Sequence, residues 1–135
     1  MSQWVGTPTR AKSGQRRAVW RMGAPMVYFI GCNEFVKIGT TTDPSIRLSS
    51  MQSCSPYDLA MRALMYGGEE QEGLLHIFFR ALRVRGEWFR FEPPLSTLVL
   101  AIEDMEPEQA GVVTKEHVPY FRPATVRKTP KPEDV

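Results

Sequence analysis

The sequence predicts a small α/β domain. Two short runs with two-residue apolar spacing read as a strand hairpin, Asp43-Pro44 opens a helix, and residues 69–80 carry a longer helical stripe. At 135 residues, 42% of them hydrophobic, the chain fills one core and leaves little for a second.

Residues 26–30 and 35–39 are the first two strands, joined around Gly31, Cys32, Asn33 and Glu34. Val27 and Phe29, like Val36 and Ile38, recur at every second position and take the core side; Tyr28 and Lys37 fall on the opposite parity, where a site would be exposed. Asp43 followed by Pro44 starts a helix over 44–50, because the carboxylate accepts from free helical amides and a proline at the first helical position gives up no needed donor. Ile46 and Leu48 are expected to pack, with Arg47 beside the hairpin end. After a turn at 53–56, residues 57–65 alternate as a third strand, setting Leu59, Met61 and Ala63 against Asp58, Ala60 and Arg62.

Gly67-Gly68 ends that strand and the longer helix follows. Leu74, Leu75, Phe78 and Phe79 form its expected buried stripe, and Glu69, Glu70 and Glu72 suit the positive end of its dipole. Residues 83–91 turn at Gly86-Glu87 into an aromatic strand covering the helix. Pro93-Pro94 punctuates the chain, 95–102 is a mostly apolar helix, and from Met105 onward no clear period stands out. The division expected is a basic flexible arm at 1–24, the domain at 25–104, and a C-terminal extension with a flexible tail at 105–135.

A net charge of +2 does not by itself point to a nucleic-acid partner. Its distribution says more: residues 1–25 hold five basic and no acidic residues, whereas 26–104 hold seven basic against ten acidic. The leading arm can follow a phosphate backbone without fixed geometry, and a solubilising arm fits equally well. Cys32 and Cys54 lack metal-site spacing and read as ordinary thiols of a reducing, intracellular compartment. No uninterrupted apolar segment suits a signal peptide or a membrane span.

Glu72 and His76 stand four apart, so a carboxylate and an imidazole share one side of the longer helix. If the hairpin forms, Tyr28, Lys37 and Arg47 gather nearby, with the hydroxyls of Thr40, Thr41 and Thr42. Arg47 suits a phosphate because its planar donors take two oxygens together. Glu72 suits Mg²⁺, a hard ion that keeps waters and phosphate oxygens as its other ligands. Tyr28 is placed to position or deprotonate a water, although its ordinary pKa of about 10 requires help from its surroundings. Lys37 adds local positive charge, and His76 is open to orienting the carboxylate, binding phosphate or moving a proton. Each residue also has a bland reading as packing or solvated surface. Glu87 reads as a partner of Arg83 or Arg85, or as the site's edge, rather than as a ligand.

The ordered set resembles the GIY-YIG nuclease superfamily, and more closely its branch typified by phage T5 orf172 and meiotically up-regulated gene 113 proteins. Met26-Val27-Tyr28 stands in the first motif and Lys37-Ile38-Gly39 in the second; Asp43-Pro44 and Arg47-Leu48 follow, then Glu72, Leu75, His76 and Phe79, and finally Gly86-Glu87-Trp88-Phe89. The likeness spans residues 26 to about 91. It implies a three-stranded antiparallel sheet flanked by helices, and a Mg²⁺-dependent (or Mn²⁺-dependent) DNA endonuclease. By that likeness Tyr28 lies near the attacking water, Arg47 at the phosphate and Glu72 at the metal. The superfamily's second-motif tyrosine is Lys37 here, and Met26 replaces the first glycine. The alternatives are a non-catalytic DNA-binding module, or a protein-interaction domain using Trp88, Phe89 and Phe91 as an exposed apolar patch. One site suffices to nick a strand, whereas a homodimer would present two to opposing strands.

Overall fold

The computed structural model describes residues 23–125. The expected arm at 1–24, except for its last two residues, and positions 126–135 of the expected tail lie outside the described residues.

Strands β1 (Met26–Cys32) and β2 (Phe35–Thr41) form the expected hairpin, closed by Asn33 and Glu34 with Asn33 at φ 55°. Their register sets Tyr28 opposite Gly39 and Phe29 opposite Ile38. Helix α1 (Pro44–Gln52) follows, then β3 (Ala60–Tyr66), α2 (Glu69–Phe78), a 3₁₀ turn at Arg80–Leu82, β4 (Arg83–Arg85), β5 (Trp88–Arg90), α3 (Leu95–Ile102) and α4 (Pro107–His117). The sheet order is β3-β1-β2-β5-β4, with every neighbouring pair antiparallel.

The sheet thus has five strands, not the expected three. β4 and β5 are three residues each, too short to show alternation, and they extend the sheet because β2 offers them a free edge. β3 begins at Ala60 rather than at residue 57. The reason is Gln52, which accepts from the Leu59 amide at 2.8 Å and donates to the Tyr57 carbonyl at 2.8 Å, holding the preceding segment as a turn.

The sheet is covered on both faces, and this explains why residues 26–31 are all buried. One face carries Val27, Phe29, Val36, Ile38, Ala63, Met65 and Phe89 against Leu75 and Phe79 of α2 and the whole buried stripe of α3. That stripe, Leu95, Leu98, Val99 and Ile102, has the three-four spacing of one helical side and is 0% exposed throughout. Each such side chain contributes on the order of 1.5–3 kcal/mol by leaving water. The other face packs Met26, Tyr28, Ile30, Leu59, Met61 and Leu64 against Leu48 and Met51 of α1.

Helix α4 occupies residues to which the sequence assigned no element. Its buried positions are Pro107, Ala110, Gly111 and Thr114, a helical stripe of small and weakly apolar residues that a hydrophobicity pattern passes over. It lies against β3 and α3 and brings Val118 and Phe121 into the main core. Two packing expectations are corrected. Ile46 is 66% exposed, leaving Leu48 and Met51 to seat α1, and Phe78 is 38% exposed because α2 ends there and turns its side away from the sheet.

Candidate metal and phosphodiester site

Helix α2 begins just after the Gly67-Gly68 break, where Gln71 Oε1 accepts from the Gly68 amide at 2.9 Å. One turn along, Glu72 and His76 face β2. His76 Nε2 lies 2.9 Å from the Ile38 carbonyl oxygen and 3.4 Å from Glu72 Oε2. A carbonyl only accepts, so Nε2 carries the proton and its N–H joins α2 to the middle of β2. The ring is further held edge-on against Phe89, with centroids 5.0 Å apart.

The β4–β5 turn supplies the third member of the cluster. Gly86 adopts φ 52°, and the Glu87 carbonyl accepts from the Ile38 amide at 3.0 Å, so the turn closes against the middle of β2. Ligand atoms of Glu72, His76 and Glu87 then lie within 4.8 Å of one another. Of the two places expected for Glu87, beside Arg83 or Arg85 or at the site's edge, it takes the second and goes further: its carboxylate meets Glu72 and stands 3.9 Å from Lys37 Nζ. The Gly-Glu-Trp-Phe match was the only signal able to place it there.

Gly39 makes the convergence possible. A Cβ at this position would overlap the Tyr28 phenol, 2.6 Å from Cζ, and would come within 3.0 Å of Glu87 Oε1. No side chain but hydrogen fits between them. Tyr28 itself departs from expectation: it is 2% exposed, its ring packed in the second apolar cluster because α1 covers that face, while its hydroxyl end reaches Gly39.

Burial pushes the Tyr28 phenol up to about 12; the positive charge of Arg47 opposes this, whereas Glu87 and Glu72 reinforce it. The Tyr28 hydroxyl therefore lies within the field of all three charged groups. Glu72 is pushed up to about 7, first by burial, then by a hydrogen bond with Glu87 and that carboxylate's charge, with a Thr40 hydrogen bond acting the other way. Two carboxylates at this separation share a proton, and a divalent cation is the natural replacement for it. The oxygen donors of Glu72 and Glu87 fit a hard ion such as Mg²⁺ or Mn²⁺. His76 Nε2 spends its proton on the Ile38 carbonyl, so in this arrangement the imidazole steadies Glu72.

Arg47 is exposed on α1, whose start is fixed by Asp43: Oδ1 accepts from the Ile46 amide at 3.1 Å. Thr41 braces that cap, its Oγ1 accepting from the Asp43 amide at 3.0 Å. The five residues singled out from sequence thus gather around the end of the first hairpin, with Glu87 and Thr40 added. The T5orf172 domain family model matches residues 26–106, more than half of the chain. The chain belongs to the T5orf172 domain family. No curated protein and no solved structure matched it in the corresponding comparisons. The matched span of the T5orf172 domain includes every residue of the cluster and stops at the start of α4. The apolar patch expected of Trp88, Phe89 and Phe91 does not form, since Phe89 is 0% exposed, Phe91 packs against the core and Trp88 is half-buried.

Proposed function

We propose that this T5orf172 domain is a divalent-metal-dependent DNA endonuclease that hydrolyses phosphodiester bonds. The observation that carries the reading is the meeting of Glu72, Glu87 and His76 within 4.8 Å, beside Tyr28 and Arg47, in a chain of this family. Glu72 and Glu87 would hold Mg²⁺ or Mn²⁺, which when bound supplies charge relief to the phosphoryl and leaving oxygens. Arg47 clamps the non-bridging oxygens of the scissile phosphate. The Tyr28 hydroxyl, neutral at ordinary pH, orients the attacking water. Lys37 contributes positive charge from the neighbouring strand, and the His76 N–H holds the side of α2 that presents Glu72.

Nicking of supercoiled DNA by the purified protein, in Mg²⁺, Mn²⁺ and EDTA, tests this. Glu72→Gln keeps the shape of the side chain and is expected to lower cleavage by at least about a hundredfold while the circular dichroism spectrum is retained. Unchanged nicking by that variant would remove the metal role of Glu72.

The deep burial of Tyr28, together with Lys37 at the second-motif position, favours one other reading, a DNA-binding module that no longer cleaves. Steeply salt-dependent binding without nicking in either metal would select it.

A further inference from the structure

Three residues line up across three strands next to the carboxylates. Lys37 of β2 is the direct partner of Trp88 in β5, and Trp88 is the direct partner of Arg85 in β4. Directly opposed residues share a face of the sheet, so this row runs at right angles to the strands, on the face that carries Gly39 and Tyr28. It covers two strand spacings, about 10 Å, from the site to the sheet edge. Lys37 Nζ stands 3.9 Å from Glu87 Oε1, so the row starts beside one of the candidate metal ligands.

The chemistry of the row is cationic. Lys37 Nζ stands 5.9 Å from the centre of the Trp88 ring. Arg85 is exposed and forms no ion pair with another described residue. Arg83, also exposed, donates from Nε to the Gly86 carbonyl at 2.7 Å and thereby stiffens the turn that carries Glu87. The only acidic side chain from residue 80 to residue 90 is Glu87 itself, against four arginines. Strand β4 is thus an edge blunted by charge, which also disfavours strand-to-strand association.

Resting on the nuclease reading above, the geometry points to this row as a track for the sugar-phosphate backbone of duplex DNA leaving the cut site. Lys37 and Arg85 contact successive phosphates on one side of the scissile bond. A duplex backbone is the occupant because Trp88 is half-buried and has the Lys37 ammonium near its ring, which leaves it poorly presented for stacking an unpaired base.

Anisotropy titration of the full chain with a labelled duplex, in EDTA over 50–250 mM salt, isolates binding from cleavage. Arg85→Gln is expected to bind severalfold more weakly and to lower the steepness of log affinity against log salt by about 0.9, the share of one duplex phosphate. Arg85→Lys should restore the slope, and Lys115→Gln, the same charge loss on α4, should leave it unchanged. An unaltered slope in Arg85→Gln overturns the track while the wild type still nicks DNA. An equal loss in Lys115→Gln overturns it in favour of net charge alone. A larger effect of Arg85→Gln on a labelled single strand than on the duplex overturns the duplex assignment. Failure of the wild type to bind either form overturns both this inference and the nuclease reading.

Discussion

Glu72 shows how one residue links stability and ligand binding. Its carboxyl is pushed from 4.5 to about 7 on folding and its side chain is only 14% exposed, so the folded protein holds a proton that the unfolded chain has released. Without a metal, stability contributed by this group is full below pH 4.5 and is lost as pH rises through about 7, by at most roughly 3 kcal/mol. Denaturant titrations at pH 5 and pH 8 in EDTA should therefore show a smaller difference for Glu72→Gln than for the wild type. Equal differences would detach the effect from this residue. Sequence showed the Glu72 and His76 pairing because helical spacing alone brings them together. It did not show Glu87, since that contact depends on how the β4–β5 turn folds onto β2, a relation between segments that no local pattern encodes. Nor did parity foretell the burial of Tyr28, because it cannot say that a helix will cover the second face.

At the scale of elements, helix α1 is a support for Arg47 fixed at one end. The Asp43 carboxylate satisfies the Ile46 amide, and Thr41 steadies the cap from the strand side. Asp43→Ala should cost about 1 kcal/mol of stability, read by denaturant titration, and should weaken the DNA binding proposed above as the arginine loses its fixed base. Normal stability would mean that packing of Leu48 and Met51 holds the helix by itself. The cap, the first hairpin and α2 were legible because each has a strong local signal: an Asp-Pro start, two-residue apolar spacing, and a Gly-Gly break before an amphipathic run. The aromatic strand after Gly86-Glu87 was legible too and is β5, whereas β4 was too short to carry such a signal. α4 was missed for a different reason, since Ala110, Gly111 and Thr114 pack by being small rather than by being greasy.

Across the whole molecule, the segment after α4 clasps the start of α2. Gln71 Nε2 donates to the Arg122 carbonyl at 3.0 Å, Arg122 pairs with Glu70 at 2.6 Å, and Val118 and Phe121 are 1% exposed in the main core. Phe121→Ala should cost about 3–5 kcal/mol, a large part of the total for a domain of this size, and lower the melting temperature accordingly. Retention of the wild-type melting temperature would show the clasp to be ornamental. The exposed Arg122–Glu70 pair adds little by itself, so the anchoring is done by the two apolar side chains and the buried glutamine. The clasp joins residues some fifty positions apart, and it lies at the opening of the very helix that presents Glu72. During synthesis on the ribosome, the entire cluster from Tyr28 to Glu87 emerges well before Phe121 does. A nascent chain halted at His117 would own all the groups proposed for cutting DNA but lack the latch on their helix, so competence is expected to arrive late, only once the finished domain has closed.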